Sequence, residues 1–274
     1  MYKLLALDMD GTLLNSEKTI SPRTFDALQA AKAQGVHVVL ASGRPINGLQ
    51  RYLQELGLTS DEHFVVSYNG SLVQRVGNGE VIHQTMMSGR DTKDIFAESQ
   101  RLGVYIHAFC AERGLLTHED NPYSRLEAEI NGVELKVTDF NQLGDDDQFI
   151  KVMMVAEENI LNQAEIAATE SMQQRFTIAR SYPVFLEFLH PEANKGIGVA
   201  KLAELLDIEQ AEVMCVGDAD NDRHMLEYAG LAVVMDNAEE RVKALADVIT
   251  ASNNDDGVAL AVEQHILAAE ALTA

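Results

Sequence analysis

The sequence of 274 residues predicts an α/β protein, with a doubly wound, mostly parallel sheet as its core and a second domain of α+β type inserted into it. Three observations predict this. Strand-like and helix-like segments alternate with short connections through the first 70 or so residues. The alternation then lapses into paired short strands of antiparallel character. It resumes near Asn194 and runs to the end. The core is expected over residues 1–83 and 190–274, and the inserted domain over 84–189.

The elements follow in order. "KLLALD" is a short apolar run suited to a buried parallel strand. "SPRTFDALQAAKAQG" reads as a helix with Ser21 as N-cap, Pro22 in the first turn, Phe25 and Leu28 on its apolar side and Gly35 closing it. "VHVVLAS" is the next strand, "RPINGLQRYLQELG" a helix ending at Gly57, and "FVVSYNG" a third strand. "SLVQRVGNGEVIHQTMM" is a hairpin about the turn "GNG". Then come a helix over "DTKDIFAESQRLG", strands at "VYIHAF" and "LLTHE", and an acidic stretch without clear periodicity. A strand "QFIKVMMV", a helix over "ENILNQAEIAATE" and strands "RFTIAR" and "VFLEFL" complete the insertion. The core returns with helix "GVAKLAELLD", strand "EVMCVGD", a helix from about Asp222, strand "LAVVM", helix "AEERVKALA" and a C-terminal helix. This is the Rossmann-like pattern, in which ligands bind beyond the carboxyl ends of the strands.

An apolar fraction of 46% with 23% charged residues describes a globular chain and excludes disorder. No apolar run approaches the roughly 18 residues of a membrane span, and "MYKLLALDMD" lacks the basic start and cleavage site of a signal peptide. Cys110 and Cys215 belong to no CxxC pattern and read as two reduced thiols of a cytoplasmic protein. The formal net charge of −22 argues against nucleic acid and anionic membrane as partners. A small anionic ligand needs only a few local donors or a divalent cation. Monomer and homodimer both stay open.

Four strand-to-helix junctions carry polar groups. In "DMDGT", Asp8 and Asp10 stand at a strand tip, where a carboxylate serves as nucleophile, metal ligand or proton carrier, and Gly11 lets the chain turn away. In "SGRP", residues 42–45, Ser42 and Gly43 open a helix: an ordinary N-cap, or a cradle for an anion. In "NKG", Lys195 precedes a helix and is either solvated surface or a counter-charge for a phosphoryl group. In "GDADND", Asp218, Asn221 and Asp222 offer oxygen donors of the kind Mg²⁺ prefers, or an Asx turn and helix cap. Taken together, a carboxylate pair, a hydroxyl with amides, a lysine and an acidic cluster point to phosphoryl chemistry.

"DMDGT", "SGR", "NKG" and "GDADND" resemble the four motifs of the haloacid dehalogenase-like phosphohydrolases. The insertion between the second and third motifs resembles the Cof-type subfamily, and within it the YidA-like sugar phosphatases. The likeness extends through "EFLHPEANKGIGVAKLAELL" and "EYAGLAVVMDNA". The resemblance implies that Asp8 is the nucleophile that becomes an aspartyl-phosphate. Asp10 would be the general acid/base, touching Mg²⁺ through its carbonyl. Met9, Thr12, Ser42, Gly43, Lys195 and Asn221 would hold the phosphoryl group, and Asp8, Asp10 and Asp218 the metal. Arg44, Asn69 and Asp222 are candidates for a supporting shell. The insertion would be a cap that closes over the site and selects the leaving group.

The expected activity is a Mg²⁺-dependent phosphatase of small phosphorylated metabolites, sugar phosphates first. Pyridoxal phosphate, flavin mononucleotide and nucleotides are alternative substrates, and a phosphosugar mutase an alternative enzyme. The rival outside enzymes is a phosphoaccepting signalling module, which is usually about half this length and has no large insertion. Other features read plainly: "GDDD", 144–147, as a solvated loop, and Met86, Met87, Met153 and Met154 as core filling. The histidines show no zinc spacing, and His190, five positions before Lys195, reads as structural rather than as part of the site. Asn254, Asp255 and Asp256 read as caps of the last helix.

Overall fold

A computed structural model describes residues 1–168 and 170–268. The described chain divides into two units, Met1–Gln84 with Asn194–Ala274, and Thr85–Ala193 between them. The return to the first unit thus falls at Asn194 rather than at residue 190, because the turn His190–Ala193 stays with the strand before it.

The strands of the first unit are β1 (Leu4–Leu7), β2 (His37–Ala41), β3 (Phe64–Ser67), β4 (Leu72–Arg75) and β5 (Val81–Gln84). The inserted unit contributes β6 (Met87–Ser88), β7 (Tyr105–Cys110), β8 (Gly114–Thr117), β9 (Leu135–Val137), β10 (Gln148–Val155), β11 (Thr177–Tyr182) and β12 (Phe185–Leu189). The first unit then adds β13 (Val213–Gly217), β14 (Leu231–Met235) and β15 (Val248–Thr250). The helices are α1 (Pro22–Ala33), α2 (Ile46–Glu55), α3 (Gly89–Leu102), α4 (Pro122–Asn131), α5 (Glu158–Ala167), α6 (Glu170–Arg175), α7 (Lys195–Leu205), α8 (Arg223–Tyr228), α9 (Glu240–Lys243) and α10 (Gly257–Val262).

The sheet of the first unit runs β15-β14-β13-β1-β2-β3-β4-β5. It is parallel from β15 to β3 and antiparallel over the β4–β5 hairpin. Every residue of β1, β3, β13 and β14 is buried, as a sheet covered on both faces requires. Alternate residues divide between two cores. Leu5, Leu7, Leu40 and Val216 pack with Leu28 of α1, Leu49 of α2 and Val258 of α10. Leu4, Ala6, Val39 and Cys215 pack with Val199 of α7 and Met225 of α8. Fully burying each such aliphatic side chain contributes about 1.5–3 kcal/mol. Ser21 caps α1, its side chain accepting the Thr24 amide.

The sheet of the inserted unit runs β11-β12-β10-β7-β8-β9, with β6 beside β10. All its pairings are antiparallel except β8 with β9. Ile106, Ala108, Val152, Met154, Leu186 and Phe188 line one core with Ile95 and Phe96 of α3 and Leu161 of α5. Met87, Met153 and Met154 are buried here; Met86 is half-buried.

Three differences from expectation have local causes. The acidic stretch contains α4, started by Asn121, whose side chain accepts the Ser124 amide, with Pro122 next and Gly132 closing it in a left-handed conformation. Its charged residues mask the apolar period, but its caps are plain in the sequence. The short strands β9 and β15 carry too few residues for a period to show. Asn254, Asp255 and Asp256 do not cap α10 through their side chains. Asn254 accepts the Ser16 amide, Asp255 accepts the Ser252 hydroxyl, and Asp256 takes a left-handed backbone with no side-chain cap bond. The GDDD loop is tied by Asp147, which accepts from Gly144 and Arg113, and by Asp145 with Lys93. His190 accepts the Glu192 amide within its own turn. Among the described residues no helix is long and apolar enough to cross a membrane.

Candidate active site

The carboxyl ends of β1, β2, β3 and β13 bring the expected residues of the first unit together. Beyond β1, the Asp8 amide continues the pairing to the Val216 carbonyl (3.0 Å), and the Leu13 amide folds back to the Asp8 carbonyl (3.2 Å). Gly11 turns the chain with φ +88°, and a Cβ there would collide with the Asp218 carboxylate. Glycine is therefore required twice over, by backbone and by space. Met9 is fully buried in the core, so at the strand end it offers its main chain. Thr12, expected among the phosphate-binding groups, donates its hydroxyl to Asp218 Oδ1 at 2.7 Å. Thr12 is 1% exposed, so that bond fixes Asp218 from inside the fold.

Lys195 opens α7, where Asn194 caps the helix by accepting the Ile197 amide at 2.9 Å. The Asn194 carbonyl lies against Gly70, where a Cβ would collide with it. The Lys195 side chain is 0% exposed and donates to Asp8 Oδ1 (2.5 Å) and Asp222 Oδ1 (2.7 Å). The other oxygen of Asp222 accepts the amides of Asp218 and Ala219, both at 3.0 Å. Asp222, expected only as support, is thus the residue that aims Lys195 and shapes the turn after β13.

Charge here is unbalanced. Burial, then repulsion from Asp222 and Asp218, pushes Asp8 up to about 7 despite Lys195. Burial likewise raises Asp218 to about 6, with Asp222 and Asp10 adding to it and the Thr12 hydroxyl and Lys195 opposing it. For Lys195, burial favours the neutral amine, but Asp222 and Asp8 outweigh it and hold the ammonium charged above its ordinary range.

Asp10 faces elsewhere. Its Oδ2 accepts Arg44 Nε at 2.8 Å, and its Oδ1 accepts Arg44 Nη2 at 2.6 Å and Lys18 Nζ at 2.7 Å. Burial raises its carboxyl, but Arg44 and Lys18 more than offset this and hold it below the usual range. Ser42 is 2% exposed; its amide continues β2 to the Val66 carbonyl, and its hydroxyl accepts the Arg44 amide at 3.2 Å. Gly43 lies against Asn69, whose side-chain oxygen accepts Asn221 Nδ2 at 3.1 Å. Asn69 itself has a left-handed backbone, φ +54°. Two residues not singled out from the sequence belong here as well. Asn237 donates to the Gly11 carbonyl at 2.9 Å, and Lys18 contacts Asp10. Each would require knowing which loops meet, although Asn237 lies within the stretch "EYAGLAVVMDNA" that carries the likeness.

Asp8, Asp218 and Asp222 each offer an oxygen within 4.8 Å of the others. Three carboxylates against one ammonium, with Asp8 and Asp218 raised by burial and by repulsion from Asp222, suit a hard cation bound through oxygen. Asp222 is the least available, since it is fully buried and accepts Lys195 and two backbone amides. The Asp10 side chain stands outside this group.

The family profile of haloacid dehalogenase-like hydrolases matches residues 5–262. The chain belongs to that family. YxeH of Bacillus subtilis is 40% identical to it over 269 residues, spanning 98% of this chain and all of that protein. A haloacid dehalogenase-like hydrolase from Bacteroides thetaiotaomicron superposes with a TM-score of 0.83 at 31% identity, covering 96% of this chain and 99% of the other. The subclass IIB sugar phosphatase BT4131 superposes with a TM-score of 0.77 at 27% identity, covering 96% and 98%. This haloacid dehalogenase-like protein is therefore a phosphatase, an enzyme of phosphoryl transfer acting on small phosphorylated substrates. The signalling-module alternative falls with that assignment. Phosphatases of the family characteristically use a metal ion, for which the aspartate group is suited.

Proposed function

We propose that the protein is a Mg²⁺-dependent phosphatase of small phosphorylated metabolites, sugar phosphates foremost, working through an aspartyl-phosphate on Asp8. The reading rests on one observation: a buried lysine between Asp8 and Asp222, with Asp218 beside them, at the ends of parallel strands. Phosphate monoesters hydrolyse extremely slowly unaided, and enzymes accelerate them by up to about 10²¹-fold. The first obstacle is repulsion between carboxylate and phosphate dianion. Lys195 neutralises part of it directly.

A free oxygen of Asp8 attacks phosphorus, the bond to the leaving oxygen breaks, and Asp10, which must first take up a proton against the pull of Arg44 and Lys18, gives that oxygen the proton. Water then attacks the phosphorus of the aspartyl-phosphate, Asp10 takes its proton, and inorganic phosphate leaves with Asp8 restored. Met9 through its amide, Ser42 and Gly43, Lys195 and Asn221 hold the equatorial oxygens. Thr12 serves by fixing Asp218. Asp8, Asp218 and the Asp10 carbonyl would hold Mg²⁺, which supplies charge neutralisation and Lewis acidity when bound. The same cation would lower the carboxyl groups of Asp8 and Asp218, so that both ionise at neutral pH. We read the inserted unit as a cap that selects the leaving group, and the two buried thiols, Cys110 and Cys215, as suited to the cytoplasm.

Phosphate release from a panel of sugar phosphates, pyridoxal phosphate, flavin mononucleotide and nucleotides tests the reading. Release should require Mg²⁺, be greatest among sugar phosphates and vanish in Asp8→Asn. Normal turnover by Asp8→Asn would end the nucleophile assignment.

A further inference from the structure

The loop between β1 and α1 holds a lysine in an unfavourable backbone conformation. Lys18 has φ +58°, in the left-handed region that side chains other than asparagine, aspartate and glycine rarely adopt. The loop is built around it. Asn15 Oδ1 accepts the amides of Glu17 and Thr19 and the Thr19 hydroxyl, while the Lys18 amide donates to the Asn15 carbonyl at 2.9 Å. The buried Tyr52 of α2 donates its hydroxyl to the Lys18 carbonyl at 3.2 Å, and its ring lies 5.8 Å from the Arg44 guanidinium. On the other flank, Asn253 donates to the Leu14 carbonyl and Asn254 accepts the Ser16 amide.

What this arrangement delivers is the Lys18 ammonium, 2.7 Å from Asp10 Oδ1. Its side chain is 59% exposed and that of Asp10 41%, and ion pairs so exposed add little to stability. A strained backbone therefore supports a contact that stability does not reward. Such strain concentrates where it sets up function. Arg44 holds both Asp10 oxygens from the side of the second junction, and Lys18 adds a second donor to Oδ1 from the side of the first, so that the carboxylate is braced from two directions.

We propose that Lys18 is a positioning residue, holding the Asp10 carboxylate against Arg44 so that it meets the leaving oxygen and then the attacking water in one place. The proposal rests on Asp10 being the acid/base of the reaction above. Misplacing a reacting group by an ångström costs about tenfold to a hundredfold in rate.

The test uses para-nitrophenyl phosphate with Mg²⁺ and the full chain. Lys18→Asn keeps a residue that accepts the left-handed backbone but removes the cation. It should leave Tm unchanged or higher, lower kcat about tenfold and leave KM within about twofold. Lys18→Arg should recover most of the loss. In an Asp10→Asn background, Lys18→Asn should change nothing further. A parental kcat in Lys18→Asn beside an impaired Asp10→Asn overturns the proposal alone. A loss confined to KM overturns it too, since Lys18 would then be binding substrate. Parental turnover in Asp10→Asn removes the acid/base reading and this proposal with it.

Discussion

Among the described residues two lysines are buried, each set between two carboxylates, one in each unit. Lys195 lies 2.5 Å from Asp8 and 2.7 Å from Asp222. Lys151 lies 2.9 Å from Glu187 and 3.4 Å from Glu127, with its ammonium 5.1 Å above the Phe109 ring. By composition they are near twins, but their surroundings differ. Lys195 begins a helix at the carboxyl ends of parallel strands, and a third carboxylate, Asp218, leaves the group with excess negative charge. Lys151 sits within β10, between β12 and β7, with an aromatic face on one side. Both clusters hold more carboxylate than ammonium, but that of Lys195 has the larger surplus and lies at strand ends that open toward a ligand, as the proposed reaction requires. Where the cluster is closed on itself, it is part of the packing.

The largest effect expected from this contrast is on catalysis. Lys195→Met should lower kcat by about 10³-fold, about 4 kcal/mol of activation free energy, in a protein that remains folded by far-ultraviolet circular dichroism. Retained turnover would show that the first cluster is also only packing. Next comes stability. Lys151→Met leaves Glu127 and Glu187 buried without their cation and should cost about 3 kcal/mol in a denaturant titration of the inserted unit. Adding Glu127→Gln and Glu187→Gln should restore most of that, with turnover at low temperature changed by less than about threefold. If Lys151→Met instead keeps its stability and changes which substrates are hydrolysed, the distinction between the clusters fails.

The smallest effect is a pH dependence confined to the inserted unit. His107 is fully buried against the Ser124 hydroxyl and the Met153 sulfur, and burial, with Lys151 adding to it, lowers its pKa to about 3. A ring that is harder to protonate when folded stabilises the unit above its unfolded pKa of about 6.5. That contribution is lost as pH falls toward 3. Between pH 7.5 and 5 the loss should be about 2 kcal/mol, read as a falling denaturation midpoint. His107→Asn should flatten this slope, and an unchanged slope would show that another group carries it.

Much of the fold and site is legible from residues near one another in sequence. "KLLALD" is a strand because its side chains have only apolar neighbours to meet, and Ser21 with Pro22 sets the start of α1 within a single turn. The same local logic would have found α4 from Asn121, Pro122 and Gly132. Its charged residues leave no clear apolar period, so only the caps mark the helix. The contents of the four junctions are equally local. Their internal division of labour is not: Thr12 meets Asp218 across 206 positions and Lys195 meets Asp8 across 187.

By itself the sequence determined the α/β alternation, the interruption, and the presence of two aspartates, a hydroxyl, a lysine and an acidic cluster at strand ends. Caps, periodicity and turn residues act within a few positions and can be read one segment at a time. Only the tertiary structure decided that Thr12 steadies Asp218, that Asp222 aims Lys195, and that Lys18 and Arg44 grip Asp10. A hydroxyl or an ammonium has no preferred partner until the folded chain excludes water and leaves it one acceptor within reach.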